Sequence, residues 1–237
     1  MADPKLLFVY TLMLLYLFYY GAGSMEYKVI NDVPKTPGSI RYTNEIGIPY
    51  TKELLPKVTN FIWSTIFQQN NPADRKNFNV IQVLITKLQK VPAGVVAVTI
   101  GNQMNISSDV IQEYKGDVKW YFTTTVYHEA THIFQWTGEG KCPRGLVEGI
   151  AEYTQIKANY VPPTGYTKPG DGNSWDQGYS FTARFLEYCD GLVPGFVAKL
   201  NNKMKNTYDV SFFKELTGKP VEQLWTEYKA KYGKKNY

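Results

Sequence analysis

His128 and His132 stand four residues apart, with Glu129 directly after the first, and the chain of 237 residues has no other histidine. On an α-helix, residues four apart project from one face, and two imidazoles so placed can hold one zinc ion. A carboxylate beside the first ring can reach a water on that metal and act as general base. Zinc in a hydrolase keeps three protein ligands and one position for solvent. No histidine remains for the third. That excludes the metzincin pattern, whose third histidine falls at Gly138, and no methionine lies between Met104 and Met204 for its Met-turn. The remaining candidates are Glu139, Glu148, Glu152, Asp171, Asp176 and Cys142. Glu148 is favoured over Glu152. The two carboxylates face one way among apolar Leu146, Val147, Ile150 and Ala151, and with Glu148 on the metal Glu152 can accept a hydrogen bond from the far nitrogen of His128. The chemistry would be water attack on a peptide carbonyl polarised by zinc, with Glu129 passing the proton to the leaving amine. A further donor should steady the oxyanion. Tyr179 is the candidate, with Tyr153, Tyr166 and Arg184 behind it.

The elements that must position these groups follow from periodicity and end signals. Asp117 is a suitable N-cap for a helix over about 118–137, packed through Val118, Phe122, Val126 and Ile133 and stopped by Gly138 and Gly140. A helix over 145–159 would carry Glu148 and Glu152. Strands are expected at 26–31, with a second short one at 39–42 in otherwise extended chain, and at 79–88 and 94–100, the latter more buried. Residues 103–108 would form a strand on the sheet edge, over the cleft, where an extended substrate can pair with it. A helix over 52–69 has its start limited by Pro56. Ser174-Trp-Asp-Gln177 fits a capping box opening a helix to Cys189. Short helices follow from Pro194 and Asp209, and Pro220 begins a last one with an apolar stripe of Val221, Leu224, Trp225, Tyr228 and Tyr232. A small sheet followed by a helical remainder makes the class α+β. One domain is expected over 26–237, with its sheet in 26–140 and its helical part in 141–237.

Composition bounds the setting. Apolar content of 43% supports a packed core, and the formal charge of +5 makes a mildly basic surface suited to an anionic cell wall. Lys229, Lys231, Lys234 and Lys235 read as a solvated tail, so no nucleic-acid partner is expected. Residues 1–25 hold Lys5, an unbroken apolar run over 6–20 and then small residues. They read as a secretory signal or a leader left from cloning, with a membrane anchor as the other reading. Secretion permits a disulfide between Cys142 and Cys189, the only cysteines. It also permits N-glycosylation at Asn105-Ile-Ser107 if that segment is exposed.

Five stretches carry a resemblance: Pro37-Gly-Ser-Ile-Arg-Tyr42, Gln68-Gln-Asn-Asn-Pro-Ala-Asp-Arg75, Tyr127-His-Glu-Ala-Thr-His-Ile-Phe-Gln-Trp136, Gly145-Leu-Val-Glu-Gly-Ile-Ala-Glu-Tyr153, and Trp175-Asp-Gln-Gly-Tyr179 with Thr182-Ala-Arg-Phe-Leu186. Over about 26–233 the chain resembles the plant basic secretory protein family, secreted pathogenesis-related proteins classed as zinc metallopeptidases. The resemblance implies a zincin-like, gluzincin-type fold, one zinc ion on His128 and His132, Glu129 as the catalytic carboxylate, secretion to the apoplast or cell wall, and a role in defence. Glu152 stands where the family usually shows Asp, and Lys141-Cys-Pro-Arg144 where small uncharged residues are usual. Two readings compete: a secreted endopeptidase acting on peptide or protein, and a non-catalytic defence protein that binds glycan or a pathogen protein around a structural or vestigial zinc.

Overall fold

The computed structural model describes residues 25–233 apart from 90, 93 and 163–165. The leader expected at 1–25 lies, except for Met25, outside the described residues. Four strands form one mixed sheet, β1 (Glu26–Asn31), β2 (Val80–Thr86), β3 (Ala97–Ile100) and β4 (Gln103–Ser107), in the spatial order β1-β2-β4-β3. The first three in that order run parallel, and β3 returns antiparallel to β4. Ile81, Val83 and Ile85 of β2 and Met104 and Ile106 of β4 alternate onto one face and are buried there. This is the period of two that a half-covered sheet requires.

The edge assignment is the reverse of the expectation. β4 is paired on both sides, and β3 is the outer strand. The run Gly94–Ile100 is apolar enough to suggest a fully buried strand. Yet its residues are only half-buried and Ile100 is 69% exposed, because one face covers a helix and the other meets solvent.

Two further corrections lie between β1 and β2. Residues 37–45 form helix α1 (Pro37–Glu45) instead of extended chain and strand. The Thr36 hydroxyl accepts from Ser39 N, and Pro37 opens the helix. Helix α2 (Gly47–Phe61) starts earlier than expected and runs through Pro56 into a π-turn over Ile62–Ile66. Burial of Leu54, Leu55, Val58 and Ile62 outweighs the hydrogen bond that Pro56 removes.

After β4, Ser107 caps a short helix absent from the expectations, α3 (Ser108–Glu113). Helix α4 (Val118–Phe134) begins as expected, with Asp117 Oδ1 accepting from Trp120 N at 2.9 Å. It ends at Phe134, before the glycines. Its Phe122, Val126, Ala130 and Ile133 are buried, and its threonines 123, 125 and 131 return their hydroxyls to the carbonyls four residues back.

Helix α5 (Arg144–Lys157) runs beside α4, tied to it where Gln155 Nε2 donates to the Thr124 carbonyl at 2.9 Å. Its other side presses on α6 (Tyr179–Leu192). The contact depends on two glycines: a Cβ on Gly145 would lie 1.8 Å from the Asp176 carbonyl oxygen, and one on Gly149 2.3 Å from Thr182 Cγ2. Alanine at 149 would be the better helix former, but an overlap that deep outweighs the gain. Gly149→Ala is expected to cost about 1–2 kcal/mol net, a fall of about 3–6 °C in the thermal midpoint for a chain of this size, measurable by circular dichroism.

The capping box at 174–177 does not form. Gln177 Oε1 accepts from Asn173 N, and α6 begins at Tyr179 with Gly178 N donating to Thr182 Oγ1 at 2.8 Å. The remaining helices are α7 (Phe196–Lys203), α8 (Ser211–Thr217) and α9 (Val221–Tyr232). Asp209 caps the start of α8 and Pro220 precedes α9 as read, with Val221, Leu224 and Tyr228 of its stripe buried. Among the described residues no helix is long and apolar enough to cross a membrane.

Candidate metal centre

Helix α4 delivers His128 and His132 from one face, and α5 delivers Glu148 and Glu152 from the face adjoining that of its glycines. His128 Nε2 lies 3.1 Å from His132 Nε2 and 3.2 Å from Glu148 Oε2, and His132 Nε2 lies 3.5 Å from the same oxygen. Zinc bonds of about 2.05 Å at tetrahedral angles separate donor atoms by about 3.3 Å. The three donors therefore already sit at the spacing one zinc ion needs. Among the described residues this is the one set of His, Cys, Asp and Glu groups able to share a metal. Glu139, Asp171, Asp176 and Cys142 are not part of it.

The far nitrogens are held as well. Glu152 Oε2 is 3.3 Å from His128 Nδ1, and its other oxygen accepts from the Tyr166 hydroxyl at 3.0 Å. The Gln135 amide stands 2.7 Å from His132 Nδ1, and its oxygen is buried without another partner. With that oxygen turned to the ring it accepts the Nδ1–H. When neutral, both imidazoles would then present a lone pair at Nε2. Glu152, one methylene longer than the Asp that the resemblance led one to expect, reaches His128.

Glu129 lies beside the ligands, on the side of the sheet edge, and is not one of the three metal donors. It is buried, and Thr99 Oγ1 of β3 lies 2.5 Å from its Oε2 and 3.1 Å from its main-chain oxygen. One carboxylate oxygen is thereby fixed, while the other makes no hydrogen bond among the described residues. The charges in the cluster hold each other. Burial opposes a charge on His128, but hydrogen bonds to Glu148 and Glu152 and the nearby Glu129 more than offset it and raise its pKa to about 10. Burial likewise acts against the Glu148 anion, and the two imidazoles overcome it and hold this carboxyl well below its usual range.

These residues are embedded in a chain whose relatives point the same way. A family described as peptidases of plants and bacteria, BSP, matches residues 22–228. The chain belongs to this family. A basic secretory protease from Boswellia serrata is 49% identical to it over 59 residues, which are 25% of this chain and 67% of that protein. No solved structure matches it. Family and relative together mark the chain as a peptidase-like basic secretory protein.

In this BSP chain the centre opens into a cleft of about 1410 Å³, walled by β3 on one side and by Tyr166, Tyr179 and Arg144 on the other. Tyr179 is 51% exposed, with its ring nearly parallel to His128 at 6.2 Å between centroids, and its backbone is held at φ +45°. Of the tyrosines and arginine ranked behind it, Tyr166 is engaged by Glu152 and Arg184 by Glu187, while Tyr153 is buried in the core. Cys142 and Cys189 are free and buried, not bridged, and burial pushes the Cys142 thiol up to about 12. It is thus a poor source of the thiolate a metal requires. Asn105 lies on the interior strand, half-buried, its amide donating to the Val98 carbonyl and accepting from Gln103. The exposure on which its glycosylation depended is not met there.

Sequence reasoning missed Thr99 and Gln135. Gln135 carried a signal, since it stands three residues after His132 on the same helical face. Thr99 carried none beyond its place in a strand.

Proposed function

We propose that this chain is a secreted zinc endopeptidase formed by one zincin-like domain, with His128, His132 and Glu148 holding the metal. The observation that carries this reading is the convergence of those three donors at zinc spacing, with a buried glutamate beside them that is not a ligand. When bound, zinc would polarise the peptide carbonyl and lower the pKa of water. The remaining work belongs to the chain. Glu129, oriented by Thr99, takes a proton from water and returns it to the leaving amine. Tyr179, half-exposed with its ring stacked on His128, would offer its hydroxyl to the developing oxyanion. A backbone held at positive φ in a non-glycine residue costs energy that neighbouring structure must offset, and such residues gather at working sites. β3 offers its free edge to an extended substrate, a task first given to the segment 103–108. Secretion is supported by the name of the Boswellia relative, and a role in plant defence by the family resemblance.

A buried general base has no use in a structural zinc site, which favours the enzyme over the non-catalytic binder. Metal removal is the test. The purified protein is expected to hold about one zinc per chain, to lose cleavage of an unfolded protein substrate on treatment with a chelator, and to regain it with zinc alone. Cleavage that survives complete metal removal would sink the reading.

A further inference from the structure

Among the described residues lining the cleft, Arg144 is the one arginine or lysine; the carboxylates on the wall are Glu129, Glu148, Glu152 and Asp117. Its side chain is 86% exposed, and its Nε lies 3.6 Å from Glu148 Oε1. The other oxygen of that carboxylate faces both imidazoles. The guanidinium therefore stands one carboxylate width from the metal position, with its outer N–H groups making no hydrogen bond among the described residues.

Helix stability does not account for it. Arg144 is the first residue of α5, where a cation runs against the helix dipole. Arginine four residues before glutamate is also the less favourable order for a pair on a helix. Its backbone is nonetheless firmly placed, because Gly145 beside it packs on the Asp176 carbonyl. Glu129 and Glu152 are already engaged by Thr99, His128 and Tyr166, so neither is free to neutralise it.

We infer that Arg144 is a specificity residue: it binds the side-chain carboxylate of an Asp or Glu flanking the scissile bond, so that the substrates are acidic peptides. A planar fork of donors matches a carboxylate in two parallel hydrogen bonds. Apart from the metal position, Arg144 is the one Arg or Lys on a wall that also carries four carboxylates, so an incoming carboxylate is drawn to it and away from those acids. The net charge of +5 would draw acidic segments toward the molecule as well. This inference rests on the peptidase reading.

The test uses peptide pairs that differ only by Glu or Gln at each position flanking the cleaved bond, given to the zinc-loaded wild type, Arg144→Gln and Arg144→Glu. The wild type is expected to prefer the Glu peptide at one position by about tenfold in kcat/KM, the scale of a hydrogen bond to a charged group. The ratio should fall to about one in Arg144→Gln and below one in Arg144→Glu, with zinc content equal in all three proteins. A wild-type ratio near one at every position overturns the inference. So does a loss in Arg144→Gln that is equal for both peptides, which would assign the guanidinium to the reacting carbonyl of every substrate. Both of those results leave the peptidase reading standing. Failure of the zinc-loaded wild type to cleave any peptide overturns the peptidase reading and the inference together.

Discussion

Glu129→Gln is expected to stop peptide cleavage while leaving the metal in place. Glutamine has nearly the shape of glutamate, and its amide oxygen can still accept from Thr99 Oγ1, which lies 2.5 Å from Glu129 Oε2 in the wild type. The donors on His128, His132 and Glu148 are untouched. What disappears is a group able to take a proton. General-base catalysis contributes about 10²–10⁴-fold in rate. Here one carboxylate both accepts from water and delivers to the leaving amine, so a fall in kcat on the order of 10³–10⁴-fold is expected. Single-turnover kinetics on a fluorogenic peptide, paired with metal analysis, would measure it. Equal rates in the two proteins would remove the proposed mechanism. Equal loss of zinc and activity would show that Glu129 supports the metal instead.

The chemistry of this site was easier to read than its frame, for physical reasons. His128, Glu129, His132, Glu148 and Glu152 lie at spacings of one or four on two helices, and helical spacing alone puts such residues on one face. The same local rule found the Asp117 cap and the stripe of the last helix. It failed where a partner distant in sequence decides the outcome. Residues 37–45 contain Pro and Gly and read as extended chain. Thr36 and Pro37 are local start signals for the helix they form, and Gly38 lets that helix pack against the Ser108 carbonyl, 70 residues on. The exchange of edge and interior between β3 and β4 has the same origin. Apolar content measures how much of a strand avoids water, but not whether a second strand or a helix does the covering. Thr99 belongs with these: its value lies wholly in a contact 30 residues away. Gly145 and Gly149 are intermediate. They share the four-residue spacing of the acidic pair, on the adjoining face of α5, and only the positions of Asp176 and Thr182 show what they are for.

Glu148→Ala is expected to empty the site of zinc at concentrations that saturate the wild type. Glu148 Oε2 is the donor that bridges the two rings, at 3.2 and 3.5 Å. Glu152 cannot replace it without a flip of the ring, since it sits 3.3 Å from Nδ1, on the far side of His128. Apparent zinc affinities of about 10–16 kcal/mol shared by four ligands give about 2.5–4 kcal/mol for each, so affinity should fall on the order of 10²–10³-fold. The dependence on pH supplies a second reading of the same contact. In the metal-free wild type the pKa of His128 is raised to about 10. The proton is therefore bound throughout the pH range below about 10 and must leave before Nε2 can ligate. Wild-type affinity should accordingly rise by about tenfold per pH unit below that value. Removal of Glu148 takes away one of the two carboxylates that hydrogen-bond His128, its pKa falls, and the rise should level off at lower pH. Competition against a chromophoric chelator at several pH values measures both effects at once. Undiminished affinity with an unchanged slope would move the third ligand to Glu152 or Cys142.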